Sequence, residues 1–128
     1  LYDAAQAGVE VDLIVRGICC LRPGVAGLSE RIRVSSIIGR FLEHSRIWMF
    51  GNAGEPEYFF GSADWMPRNL DRRVEVVTPV HNPLFKKRLQ SVLEVCLADN
   101  RQAWDLQPDG SYVQRQPEPG RGERATHR

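Results

Sequence analysis

"VEVDLIVRG", residues 9–17, is the stretch on which the fold turns. Its Val, Leu and Ile residues lie between Gly8 and Gly17. That pattern is a strand signature, and the near-continuity of apolar residues predicts a strand covered on both faces. The preceding "LYDAAQAGV" reads as the last turns of a helix. A helix leading into a covered strand predicts an α/β chain, with a mixed β-sheet flanked by helices. No initiating Met is present, so the chain is expected to be a fragment of a longer protein.

Working outward, "CCLRPGVAGLSE" carries Pro23, Gly24 and Gly27 and reads as a loop, and "RIRVSSII" (31–38) as a second strand. "RFLEH" (40–44) fits one helical turn. "SRIWMFG" and "YFFGS", joined by "NAGEPE", predict a β-hairpin over 45–61 whose loop is longer than two residues. "RRVEVVTPV" (72–80) alternates as a strand until Pro79 ends it. Asn82 and Pro83 form an N-cap and first-turn pair, and Phe85, Leu89, Val92, Leu93 and Cys96 follow at helical spacing, which places a helix over 83–98. "WDLQPDGSYVQ" (104–114) predicts a small terminal hairpin. After residue 115 the chain has almost no apolar residue and is rich in Pro, Gly and Arg, so 116–128 is expected to be a disordered tail on a domain spanning 1–115.

Composition narrows the function. With 128 residues, 42% of them hydrophobic, one compact unit is expected. Seventeen Lys and Arg against 16 Asp and Glu give a net charge of +1. That field coats neither nucleic acid nor an anionic membrane, so any anion site is local. Cys19, Cys20 and Cys96 are odd in number and lack a C-x-x-C spacing, which fits free thiols in a reducing, cytoplasmic setting. No run of about 18 apolar residues is present to span a bilayer, and the N-terminus lacks the pattern of a signal peptide.

Three places carry candidate chemistry. In an extended strand His44 and Arg46 point the same way, setting an imidazole beside a guanidinium fork, an arrangement suited to a phosphoryl group; the alternative is a strand-edge histidine and a solvated arginine. In "GSADWMPRN" (61–69), Gly61 permits close approach of a ligand, Ser62 offers a hydroxyl and an amide, and Arg68 and Asn69 add donors. The alternative there is a polar loop in which Trp65 plugs the core and an arginine holds Asp64. Arg16 stands at the carboxyl end of the first strand, where open α/β sheets bind ligands, and needs a partner: Asp64, Asp71 or a ligand phosphate. If one mixed sheet sets the end of strand 9–16 beside the start of strand 45–51, then Arg16, His44 and Arg46 converge on one anion, within about 8 Å of one another. The other arginines of 31–40 and 69–73 read as solvated edges and ion pairs.

"LIVRGICCL", "RIRVSSIIGRFLEHSRIWMF" and "GSADWMPRNLDRRVEV", in this order and spacing, resemble the C-terminal catalytic domain of bacterial polyphosphate kinase, over residues 1 to about 100. The resemblance implies a phospholipase D-like half-domain, a fold whose half-sites carry H-x-K followed by a Gly-Ser segment. His44-Ser45-Arg46 and Gly61-Ser62 stand in those places. Two departures weigh against phosphodiester cleavage: Arg46 replaces the lysine, and Gly51 stands seven residues after His44 where an aspartate belongs.

Carried over by position, the resemblance gives His44 the role of second active-site histidine and Arg16 that of a phosphate-binding arginine. Arg46, Gly61 and Ser62 complete an ATP and phosphate site. It further implies a phosphohistidine in an upstream domain, and ATP or ADP and inorganic polyphosphate as substrates. Mg2+ enters on the nucleotide, since no metal-ligand spacing of carboxylates is present. A homo-oligomer in full length and a cytoplasmic location, with peripheral association at the inner membrane in the full-length enzyme, follow from the same resemblance. The competing readings are a phosphodiesterase half and a non-catalytic module that binds phosphate chains.

Overall fold

The computed structural model describes residues 1–120 and 122–126. Among these residues the elements are, in chain order, α1 (Tyr2–Gln6), β1 (Val11–Ile14), β2 (Ile32–Ile37), β3 (Ile47–Phe50), β4 (Glu57–Gly61), α2 (Pro67–Arg72), β5 (Val77–Val80), α3 (Pro83–Leu97), β6 (Ala103–Leu106) and β7 (Tyr112–Gln114). Length predicts a single unit, yet the chain divides into two: Leu1–Glu43 with Glu94–Arg128, and His44–Leu93. The cause lies in strand pairing. The first sheet has the order β1-β2-β6-β7 and the second β3-β4-β5, so the hairpin region closes a sheet of its own between β2 and β6. The single sheet expected to set strand 9–16 beside strand 45–51 is therefore not formed.

In the first unit β1 pairs parallel to β2, whereas β6 and β7 run antiparallel, so the sheet is mixed as predicted. Val11 and Leu13 stand in register with Ile32 and Val34, and this shared face is covered by Ala5 and Tyr2 of α1 together with Leu106. Burying such aliphatic side chains stabilises the unit by about 1.5–3 kcal/mol each. The opposite face of β1 is not covered as its apolar run suggests. There Asp12 accepts both a 2.6 Å and a 3.0 Å hydrogen bond from Arg33, its register partner. The central strand β2 is the buried one, with Arg33 its one exposed residue.

The terminal hairpin forms as predicted, β6 against β7. Ahead of it Asp99, 1% exposed, caps the turn: Oδ1 accepts the N–H groups of Arg101, Gln102 and Ala103 at 2.8, 2.6 and 3.2 Å. Its Oδ2 accepts the N–H of Thr126 at 2.7 Å, and Asn100 exchanges two backbone-directed bonds with Arg124. The segment 124–126, too polar to order itself, thus takes its contacts from the buried turn of the folded unit.

In the second unit β3, β4 and β5 are antiparallel neighbours. The hairpin falls where predicted, with a 3-10 turn at Asn52–Gly54 in its loop. The strand predicted over 72–80 is shorter: α2, opened by Pro67, runs through Arg72, and regular pairing begins only at Val77. Pro79 does not end β5 but lies within it, opposite Phe59. The amide of Ser62 donates to Val76 O, which marks a hydrogen-bonded pair; the antiparallel ladder alternates, so the backbone of residue 79 points away from β4. Proline there removes no bond of the sheet. Helix α3 begins at the predicted pair, with Asn82 Oδ1 accepting the N–H of Leu84 at 2.9 Å. Tyr58, buried in β4, donates its hydroxyl to Gln90 of α3. The predicted turn in 40–44 is not helical.

Burial pushes the Asp99 carboxyl up, but the N–H bonds from Gln102, Thr126 and Arg101 outweigh it and hold it below the ordinary value. A depressed folded value means that the stability it contributes is complete above the unfolded value of about 3.9 and is lost as pH falls through the folded one. Asp99→Asn is expected to lower stability at neutral pH by about 1–3 kcal/mol, since N–H donors lose their anion. It should also flatten the acid limb of melting temperature against pH, and a thermal-melt series taken from neutral to acid checks both.

Candidate active site

His44, Arg46, Gly61 and Ser62 all belong to the second unit, and Arg16 to the first. His44 and Arg46 precede β3, outside regular strand, yet their side chains meet as the alternation predicts. Arg46 Nη1 lies 2.6 Å from His44 Nδ1 and 3.2 Å from Nε2, and 3.1 Å from the His44 carbonyl. A guanidinium only donates, and this one stands within reach of both ring nitrogens, so it holds the ring as a whole. His44 itself is exposed and does not face the core.

The rest of the Arg46 fork is committed elsewhere. Nε and Nη2 donate to the two oxygens of Asp64 at 2.9 and 3.0 Å, a bidentate pair with side chains 16% and 28% exposed. These hydrogen bonds raise the guanidinium above its ordinary value, so its charge is permanent. Asp64, weighed in the sequence as a partner for Arg16, thus serves Arg46. Arg16, half-buried at the end of β1, donates to the carbonyl of Glu43 at 3.1 Å. It lines a shallow cleft of about 210 Å³ with Ile37, Ile38 and Phe41 of its own unit.

Gly61 and Ser62 serve the sheet rather than an open ligand cradle. The Gly61 amide donates to Arg46 O at 3.1 Å, and a Cβ at Gly61 would lie 2.3 Å from Val76 O and 3.1 Å from Val77 Cα. The glycine is required by the close approach of β5. Ser62 uses its amide on Val76 O, donates its hydroxyl to Glu75 Oε2 at 2.5 Å and accepts the Val76 N–H at 3.1 Å. Asn69, 3% exposed, donates to Glu75 Oε1 at 2.7 Å. The hydrogen bonds from Ser62 and Asn69, in that order, hold Glu75 below the ordinary carboxylate range. Trp65 is 59% exposed and does not plug the core; Ala63, at 4%, takes the buried position. Sequence reasoning missed Glu75, whose one signal was a charged residue within an apolar alternating run.

The α/β fold, with H-x-R before one strand of a hairpin and Gly-Ser at the end of the other, agrees with the phospholipase D-like half-domain that the resemblance implies. The family described as polyphosphate kinase C-terminal domain 2 matches residues 1–126. The polyphosphate kinase of Thermosynechococcus vestitus is 68% identical over 127 residues, covering 99% of this chain and 17% of that protein. That of a Synechocystis species is 69% identical over 117 residues, or 91% of this chain and 16% of that protein. The crystal structure of polyphosphate kinase from Porphyromonas gingivalis superposes with a TM-score of 0.91 at 44% identity, over 97% of this chain and 19% of that one. The chain therefore belongs to the polyphosphate kinase family, and it spans about a sixth of the length of these curated relatives.

Gly61→Ala is expected to destabilise the second unit by about 1–3 kcal/mol, the usual cost of forcing an extra methyl into packed structure. A denaturant melt with unchanged slope and an earlier midpoint is the expected result.

Proposed function

We propose that the chain contributes half of the active site of an ATP:polyphosphate phosphotransferase, which transfers the terminal phosphate of ATP reversibly to polyphosphate through a phosphohistidine on an upstream domain. The observation that carries this reading is the exposed His44 whose ring is held by a guanidinium with its other two nitrogens locked on Asp64. Such an imidazole is oriented before a substrate arrives, and its exposed ring can hydrogen-bond a phosphoryl oxygen. Arg16 binds phosphate as a charged fork. Arg46 sets the electrostatics around His44, and Gly61 and Ser62 fix the strand end that carries them. The partners are ATP or ADP, inorganic polyphosphate, the upstream domains and further copies of the full-length enzyme.

Mg2+ belongs to the nucleotide in this reading. Among the described residues no group of three His, Cys, Asp or Glu side chains has metal-ligand geometry, and the site's two carboxylates hold Arg46 and the Ser62–Asn69 pair. This donor set does not fit a resident cation. The phosphodiesterase reading is disfavoured by Arg46 in place of lysine and Gly51 in place of aspartate. A module that only binds phosphate chains has no need of an oriented histidine. A cytoplasmic setting fits free Cys19, Cys20 and Cys96. No helix among the described residues is long and apolar enough to cross a membrane.

In the full-length enzyme, His44→Ala and Arg16→Ala are each expected to reduce ATP-dependent polyphosphate synthesis about 10²-fold or more, the scale of losing one preorganised stabilising group. Circular dichroism should be unchanged. Activity of His44→Ala within a few fold of the parent would remove the site from the reaction.

A further inference from the structure

We infer that Asp64 is a positioning residue for the phosphoryl transfer: it acts through Arg46, whose placement it fixes so that one guanidinium nitrogen holds the His44 ring. The inference rests on the phosphoryl-transfer reading above and goes one residue deeper.

The geometry leaves Arg46 no alternative seat. A guanidinium is planar, and its Nε and Nη2 edge is matched to both carboxylate oxygens of Asp64 at 2.9 and 3.0 Å. Once that edge is docked, the position of Nη1 is determined, and it falls 2.6 Å from His44 Nδ1 and 3.1 Å from the His44 carbonyl. The backbone of Arg46 is held as well, its carbonyl accepting the Gly61 amide at 3.1 Å. Asp64 stands three residues beyond Gly61, so the strand end that anchors the Arg46 backbone also carries the carboxylate that anchors its side chain. Two anchors on one residue leave it a single pose.

A carboxylate beside an anion-binding histidine would otherwise oppose the substrate. Paired to Arg46 it has a use: it neutralises one charge and converts a flexible side chain into a fixed donor. A lone arginine at this place would reach for the nearest phosphate oxygen and abandon the imidazole. Asp64 keeps it on His44, which fixes the ring orientation.

The test is a double-mutant cycle in the full-length enzyme with ATP as substrate. Asp64→Asn keeps the shape but loses the bidentate charge, and it is expected to lower kcat about ten- to a hundredfold, the cost of misplacing a reacting group by about 1 Å. The KM for ATP should stay within about twofold, since Asp64 is argued to touch no substrate. In an Arg46→Ala background the same substitution should change kcat no further, because the residue it acts through is gone. Should Asp64→Asn melt far below the parent, Asp64→Glu takes its place in the same cycle with the same expected non-additivity. Losses that add with those of Arg46→Ala, or an Asp64→Asn enzyme with parental kcat, overturn the inference. His44→Ala separates the two failures: if it is inactive while Asp64→Asn is fully active, positioning alone is wrong, and if it is fully active the functional reading falls with it.

Discussion

A half-buried guanidinium cannot stand without an anion, and in this protein the anion for Arg46 is supplied by the chain itself. That constraint organises the second unit around the candidate site. The Arg46 carbonyl takes the Gly61 amide, and its side chain takes Asp64, so the open end of the β3–β4 hairpin is closed by one residue through two kinds of bond. Removing Asp64 would leave the Arg46 charge unpaired two residues from His44. The approach of β5 to Gly61 adds a steric condition, and the bridge from Ser62 to Glu75 continues the same line of contacts into α2 through Asn69. Stability and site geometry here are one network.

That network explains how the proposed anion site coexists with two acidic residues. Asp64 and Glu75 each spend both oxygens on donors within the unit, and the partners they hold are a charged fork, a hydroxyl and an amide. The carboxylates are internal struts. What they leave exposed is the imidazole, which is the group the proposed chemistry needs. A net charge of +1 over 128 residues agrees with a site built by local placement rather than by a broad positive field.

The sequence made some of this legible and hid the rest, for identifiable reasons. Helix α3, the hairpin, the second strand and the terminal hairpin were readable because their signals are local: an Asn-Pro cap, alternation, turn residues. The division into two units was not, since nothing local says that β2 will choose β6 over β3. Pro79 misled because a proline ends a central strand but is harmless on an edge facing outward. At the site, the meeting of His44 and Arg46 followed from spacing alone. The partner of Arg46 did not, because Asp64 lies 18 residues away and competes on paper with every other carboxylate. Gly61 was read as a place for a ligand to approach and Ser62 as a ligand donor; the approach at Gly61 is made by Val76 and Val77, and the Ser62 amide and hydroxyl go to Val76 and Glu75.

The outward position of Pro79 has a consequence for the life of this protein in a crowded solution. β5 is the outer strand of its sheet, and an outer strand with a full set of free amides is a template on which another chain can grow. Here one of the outward positions has no hydrogen to give, and a foreign strand laid along β5 meets a missing rung near its middle. The residue that costs the native ladder nothing makes the growth of a non-native one unfavourable at its first step. The exposed Val77 of the same strand is thereby a poorer template for an incoming chain than an unbroken row of amides would make it.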